Sequence, residues 1–133
     1  MTQPSSNKLS LLDWLDSQED NMVTLLRDLV NIDSNSFDKA GVDRVSDRLG
    51  EFFDEQLIPF ETIPIATHGD GMRAIVAGGN GNRPILLCGH RDTVFPTGEV
   101  EKRPFEVRDG KAFGPGVADM KPSLVINAFI LAA

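Results

Sequence analysis

The chain has 133 residues, and with 41% hydrophobic residues it can bury a core of ordinary single-domain size, which excludes a disordered sequence. Lys and Arg number 13 against 20 Asp and Glu, so the net charge is −7 with no basic block to follow a phosphate backbone, and nucleic acid is excluded as an expected partner. A single cysteine excludes an intrachain disulfide, and no run reaches the ~20 apolar residues that span a bilayer.

Residues 1–8 are polar and lack the apolar centre of a signal peptide, so the expectation is a cytoplasmic protein with no membrane partner. Residues 9–32 carry Leu11, Leu12, Trp14, Leu15, Met22, Val23, Leu25, Leu26, Leu29 and Val30 at helical spacings. The polar stretch from Ser17 to Asn21 interrupts them, which predicts two successive amphipathic helices. The segment 31–36, Asn-Ile-Asp-Ser-Asn-Ser, is rich in side chains that bond nearby backbone and reads as a loop. A third helix is expected to start near Gly41, with Val42, Val45, Leu49, Phe52, Phe53 and Leu57 on one stripe.

Pro59 ends that helix, and three short strands are expected at 60–65, 72–77 and 84–88, with a Gly/Asn turn at 78–82. The run Ile85-Leu86-Leu87-Cys88 does not alternate, which predicts a central strand covered by helices, with Cys88 a small core residue. Residues 94–108 read as a long loop, and 105–113 as a hairpin turning at Asp109-Gly110. From Pro122 onward an almost wholly apolar run predicts a buried helix with proline in its first turn. The fold class is α/β, a mixed sheet flanked by helices.

Two places carry candidate chemistry. His90 follows the expected central strand, at the end where open α/β sheets present their ligands. Its imidazole suits a borderline-soft cation such as zinc, and Asp92, two positions on, is placed to accept the other ring N–H and fix the tautomer. The same His-X-Asp pattern recurs at His68 and Asp70 in a polar turn and is read there as a solvated loop. Asp119 follows Gly114-Pro115-Gly116, a flexible approach to a metal, and reads either as a ligand or as the cap of the helix beginning near Pro122. Lys121 is expected at the surface, and Glu99, Glu101 and Glu106 are expected to be solvated acids.

The order of these motifs is more specific than any one of them. Gly89-His90-Arg91-Asp92-Thr93-Val94-Phe95-Pro96, then Pro104-Phe105, Asp109-Gly110-Lys111 and Gly114-Pro115-Gly116-Val117-Ala118-Asp119-Met120-Lys121, resembles the zinc metallopeptidase family of glutamate carboxypeptidases, aminoacylases, acetylornithine deacetylases and succinyl-diaminopimelate desuccinylases. The segments around His90 and before Asp119 look most like the glutamate carboxypeptidase branch. The resemblance implies the amino-terminal part of an α/β catalytic domain over 1–133, without the lid or dimerisation domain. It implies two zinc ions in the complete enzyme, with cobalt as an alternative, and a homodimeric full-length form. It also implies His90 as a zinc ligand, Asp92 as the carboxylate orienting it, Asp119 as the carboxylate bridging both ions, and a cis peptide between Asp119 and Met120. The expected substrates are small peptides or N-acyl amino acids.

Two departures qualify this. The family draws its general base and further ligands from a Glu-Glu pair, another acid and a late His, none of which is matched here, so the chain alone is expected to be inactive. Pro122-Ser123 stands where relatives usually have two glycines and is expected to bias Lys121 away from the helical region. The competing reading is a non-catalytic binding or assembly module on the same scaffold.

Overall fold

The computed structural model describes residues 6–78 and 83–133. The first two helices appear as expected, α1 at Ser6–Ser17 and α2 at Glu19–Val30. Between them the Ser17 hydroxyl donates to the Trp14 carbonyl at 2.6 Å, and the Gln18 N–H bonds the Leu15 carbonyl at 3.0 Å. Those bonds tighten the last turn and let the chain start a new helix. The third helix, α3 at Lys39–Glu55, begins two residues before the expected start because the Asp38 carboxylate accepts from the Gly41 N–H at 3.0 Å.

The core lies where α2, α3 and the last helix, α5 at Lys121–Ala132, meet. Leu25 and Leu29 come from α2, Val45, Leu49, Phe52 and Phe53 from α3, and Leu124, Val125, Ala128 and Phe129 from α5. The rings of Phe52 and Phe129 sit with centroids 4.8 Å apart, a contact worth roughly 1 kcal/mol beyond their burial. The stripe read from the sequence is the buried face of α3, except that Leu57 lies beyond the helix end, 90% exposed at φ 56°. On α5 only one of two apolar faces is covered, and Ile126 and Ile130 remain about half exposed.

The α/β class holds, but the sheets are two antiparallel hairpins among the described residues. Strands β1 (Phe60–Ile63) and β2 (Gly71–Ala74) pair with Phe60 opposite Ala74. Strands β3 (Glu106–Arg108) and β4 (Lys111–Phe113) turn through Asp109 and Gly110, both at positive φ, as the dipeptide predicted. The expected central strand at 84–88 does not form. Ile85 is 89% and Leu86 83% exposed, and Cys88 is exposed instead of buried. A strand needs a partner for its N–H and C=O groups, and among the described residues neither hairpin pairs with this backbone. An apolar run is therefore not by itself a buried strand. The expected turn at 78–82 falls mostly on residues 79–82, outside the described residues. The expected long loop contains a single helical turn, α4 at Glu99–Lys102. No helix among the described residues is long and apolar enough to cross a membrane.

Candidate metal site

His90 and Asp92 are held together without the strand that was expected to align them. The backbone of 91–95 is laced to the 33–36 loop instead. The Thr93 N–H donates to the Ser34 carbonyl at 2.7 Å, the Ser36 N–H to the Thr93 carbonyl at 3.1 Å, and the Asn35 amide to the Phe95 carbonyl at 3.0 Å. Ser34 and Thr93 are both buried, at 2% and 5% exposure, so water does not compete for this clasp. It leaves the His90 ring bent back on its own segment, with Nδ1 3.0 Å from the Asp92 carbonyl oxygen and 3.2 Å from its carboxylate.

The opposite limb is the turn 114–119. Gly116 adopts φ 79°, and a Cβ there would come within 2.8 Å of the Thr93 methyl, so a side-chain-free residue lets this turn lie against the clasp. The Asp119-Met120 peptide is cis, as the family resemblance implied. The Asp119 carboxylate lies 3.0 Å from His90 Nε2, while the Met120 sulfur accepts from the His90 backbone N–H at 3.4 Å. His90, Asp92 and Asp119 border a cleft of about 220 Å³ whose other walls include Thr93, Val94, Phe95 and Val117.

Both ring nitrogens of His90 therefore face oxygen acceptors. A neutral imidazole donates from only one nitrogen. With Nδ1–H satisfied by Asp92, the Nε2 lone pair points at a carboxylate, an arrangement relieved either by a second proton or by a divalent cation between the two. The charges behave accordingly. Burial pulls the His90 pKa down, but the hydrogen bond to Asp119, the bond to the Asp92 carbonyl and the two nearby carboxylates leave it above the ordinary histidine value. Asp92 is held below the usual carboxylate range by the Ser36 hydroxyl first, against desolvation, and then by its backbone and His90. Asp119 is mostly exposed, at 84% for its side chain, and free to turn toward a ligand.

The donor set fits zinc, which takes imidazole nitrogen and carboxylate oxygen. It fits as part of a shell: among the described residues no group of three or more His, Cys, Asp or Glu side chains converges. Asp92 lies on the other side of the ring, facing Nδ1.

Several other residues differ from expectation. Lys121 is not at the surface: it is 1% exposed, its Nζ donating to the carbonyls of Leu29 and Ile32 at 2.8 Å each. Burial, countered in part by Asp33, brings its pKa down to about 8. It begins α5 despite Pro122, because its N–H bonds the Gly116 carbonyl at 3.1 Å and Met120 takes the non-helical position before it. Glu99 is not a solvated acid either, since its side chain is 15% exposed and pairs with Arg103 at 2.6 Å.

The second His-X-Asp pattern stays apart from the site. His68 is exposed beside Phe37, with ring centroids 6.4 Å apart. Asp70 accepts from the Ile65 N–H at 2.8 Å and pairs with Lys39, which together hold its pKa down. The loop residues that position the site, Ser34, Asn35 and Ser36, were missed as functional. Their signal was present in the density of short polar side chains at 31–36, which reads as a loop from composition alone.

Residues 86–133 match the model of peptidase family M20/M25/M40. Carboxypeptidase G2 of a Pseudomonas species is 33% identical over 115 residues, covering 83% of this chain and 26% of that protein. Succinyl-diaminopimelate desuccinylase of Burkholderia ambifaria is 44% identical over 82 residues, 56% of this chain and 21% of that protein. Acetylornithine deacetylase of Pasteurella multocida is 41% identical over 64 residues, 46% of this chain and 17% of that protein. The chain thus spans about a quarter or less of the length of these relatives.

Proposed function

We propose that the chain, whose residues 86–133 match peptidase family M20/M25/M40, is the amino-terminal part of a two-zinc hydrolase cleaving amide bonds of small peptides or N-acyl amino acids. The observation that carries the metal reading is the facing pair of His90 Nε2 and Asp119 carboxylate, with Nδ1 already occupied by Asp92. His90 and Asp119 would hold zinc there, Asp119 with an oxygen to spare for a second ion. Zinc bound in such a site lowers the pKa of a water and polarises a carbonyl, so that an amide can be attacked near neutral pH.

The chain's own residues do the rest. Asp92 keeps Nδ1 protonated, which commits the Nε2 lone pair to the cleft. Ser36 keeps the Asp92 carboxylate ionised and aimed. Val94, Phe95 and Val117 supply apolar wall beside the polar pair. Two converging side chains leave a zinc ion short of its usual four ligands. Accordingly the 133-residue chain by itself is proposed to bind zinc weakly and to hydrolyse no amide.

Cobalt or zinc titration of the purified chain tests this. About one ion is expected to bind per chain, with binding lost in His90→Ala and sharply reduced in Asp119→Asn. Binding that survives both substitutions would sink the site. Release of an amino acid from N-acyl substrates by the chain alone would sink the proposed inactivity.

A further inference from the structure

The connection between α2 and α3 touches both limbs of the site, although His90 and Asp119 lie 29 positions apart in the chain. Lys121, two residues past Asp119, donates to the Ile32 carbonyl at the beginning of this connection and to the Leu29 carbonyl in the last turn of α2 just before it. Its end grips the other limb. The Ser34 hydroxyl donates to the Arg91 carbonyl at 3.0 Å, the Ser36 N–H to the Thr93 carbonyl, and the Ser36 hydroxyl to the Asp92 carboxylate.

We propose that this connection is a brace that sets the spacing of His90 and Asp119, with Ser36 and Lys121 as its two positioning residues. The reason is mechanical. A carboxylate that meets a ring nitrogen through one oxygen is free to rotate about its own Cβ–Cγ bond. Asp92 is not free, because Oδ2 is held by Ser36 while Oδ1 faces His90. The His90 side chain is 46% exposed and has little packing of its own to fix it, so its orientation depends on that carboxylate. On the other limb the Asp119 side chain is 84% exposed, and its turn is seated by Lys121 beneath it. Both anchors end on one short segment, so a shift of that segment moves both donors together and a loss of either anchor separates them.

The purpose given to the brace rests on the metal reading of His90 and Asp119, and the test separates the two. The readouts are the Nδ1–H tautomer fraction of neutral His90 in the metal-free chain, from imidazole ¹⁵N resonances, and the zinc dissociation constant. With only two histidines in the chain, His68→Gln assigns the signals. Ser36→Ala is expected to lower the Nδ1–H fraction and to weaken zinc roughly tenfold. Ser36→Thr, which keeps the hydroxyl, is expected to restore both. Lys121→Met is expected to weaken zinc while leaving the tautomer alone, because it acts on the Asp119 limb.

A folded Ser36→Ala chain with an unchanged tautomer, or with unchanged zinc affinity where the parent binds zinc, overturns the brace and leaves the metal reading standing. A parent chain that binds no zinc, with a tautomer that still depends on Ser36, overturns the metal reading and supports the brace. Should Ser36→Ala fail to fold, Ser36→Cys, a weaker donor, takes its place, with an intermediate tautomer shift expected and no shift overturning the proposal.

Discussion

The ammonium of Lys121 lies 2.8 Å from the carbonyl oxygen of Leu29, in a position where the side chain is 1% exposed. The end of α2 presents carbonyls that no longer have the full helical ladder ahead of them and the negative end of the helix dipole, which favours a cation there. Desolvation outweighs that help and brings the pKa from 10.5 down to about 8.

A pH dependence follows from this shift. Between the folded value near 8 and the unfolded 10.5 the unfolded chain binds more protons, so stability rises with pH through that window and is flat below it. The gain is on the order of 2–3 kcal/mol. Urea unfolding from pH 7 to 10.5 measures it, and the absence of tyrosine removes one competing alkaline titration. Lys121→Met is expected to abolish the slope. An unchanged slope in that variant would place the titration elsewhere.

His90 gives the opposite sign. Its folded pKa is raised, so the stability it contributes to the metal-free chain is fully present below about pH 6.5 and lost as pH rises through the folded value. The same proton competes with zinc for Nε2, so zinc affinity is expected to climb with pH over that range and to level off once the ring is neutral. Calorimetry in buffers of different ionisation enthalpy counts the proton released. An affinity independent of pH between 5 and 8 would contradict competition at Nε2.

Helices and the Asp109-Gly110 turn were legible because their signals are local: a 3.6-residue stripe such as Val45, Leu49 and Phe52, or a dipeptide that tolerates positive φ. His90, Asp92 and Asp119 were named from motif order, and the structure brings all three to one cleft. What failed depended on partners distant in sequence. Residues 84–88 have strand composition but pair with no strand among the described residues, and Lys121 looks like a surface residue until the end of α2 is folded over it. Ser36 could not be linked to Asp92 because the two are 56 positions apart and are brought together by the clasp between 34–36 and 91–95.

The exposed run at 84–88 makes a simple stability prediction. Ile85→Lys is expected to change the unfolding free energy of this chain by no more than about 0.5 kcal/mol, as for other surface substitutions. A buried strand would instead lose several kcal/mol when a charge is placed in it. Phe129→Ala, 3% exposed against Phe52, serves as the contrast, at about 3–5 kcal/mol. Equal losses in the two variants would contradict the exposed placement of Ile85.

Gly116 joins backbone conformation to the geometry of the site. At φ 79° any residue with a Cβ is strained, by roughly 1–2 kcal/mol. The added Cβ would also meet the Thr93 methyl at 2.8 Å and the Lys121 Cδ at 3.2 Å. Gly116→Ala is therefore expected to lower the thermal midpoint by several degrees and to weaken zinc binding, because the clash pushes on Thr93, whose backbone holds the clasp to Ser34 and Ser36. The two contributions can be separated. Thr93→Ser deletes the offending methyl but keeps the backbone N–H and carbonyl that make those bonds, so in the double variant the steric part is relieved and the backbone strain stays. Partial recovery of both midpoint and zinc affinity is the expected result of that cycle. Strict additivity of the two substitutions would mean that Gly116 and Thr93 do not press on one another, and that the Asp119 turn is seated by something other than this contact.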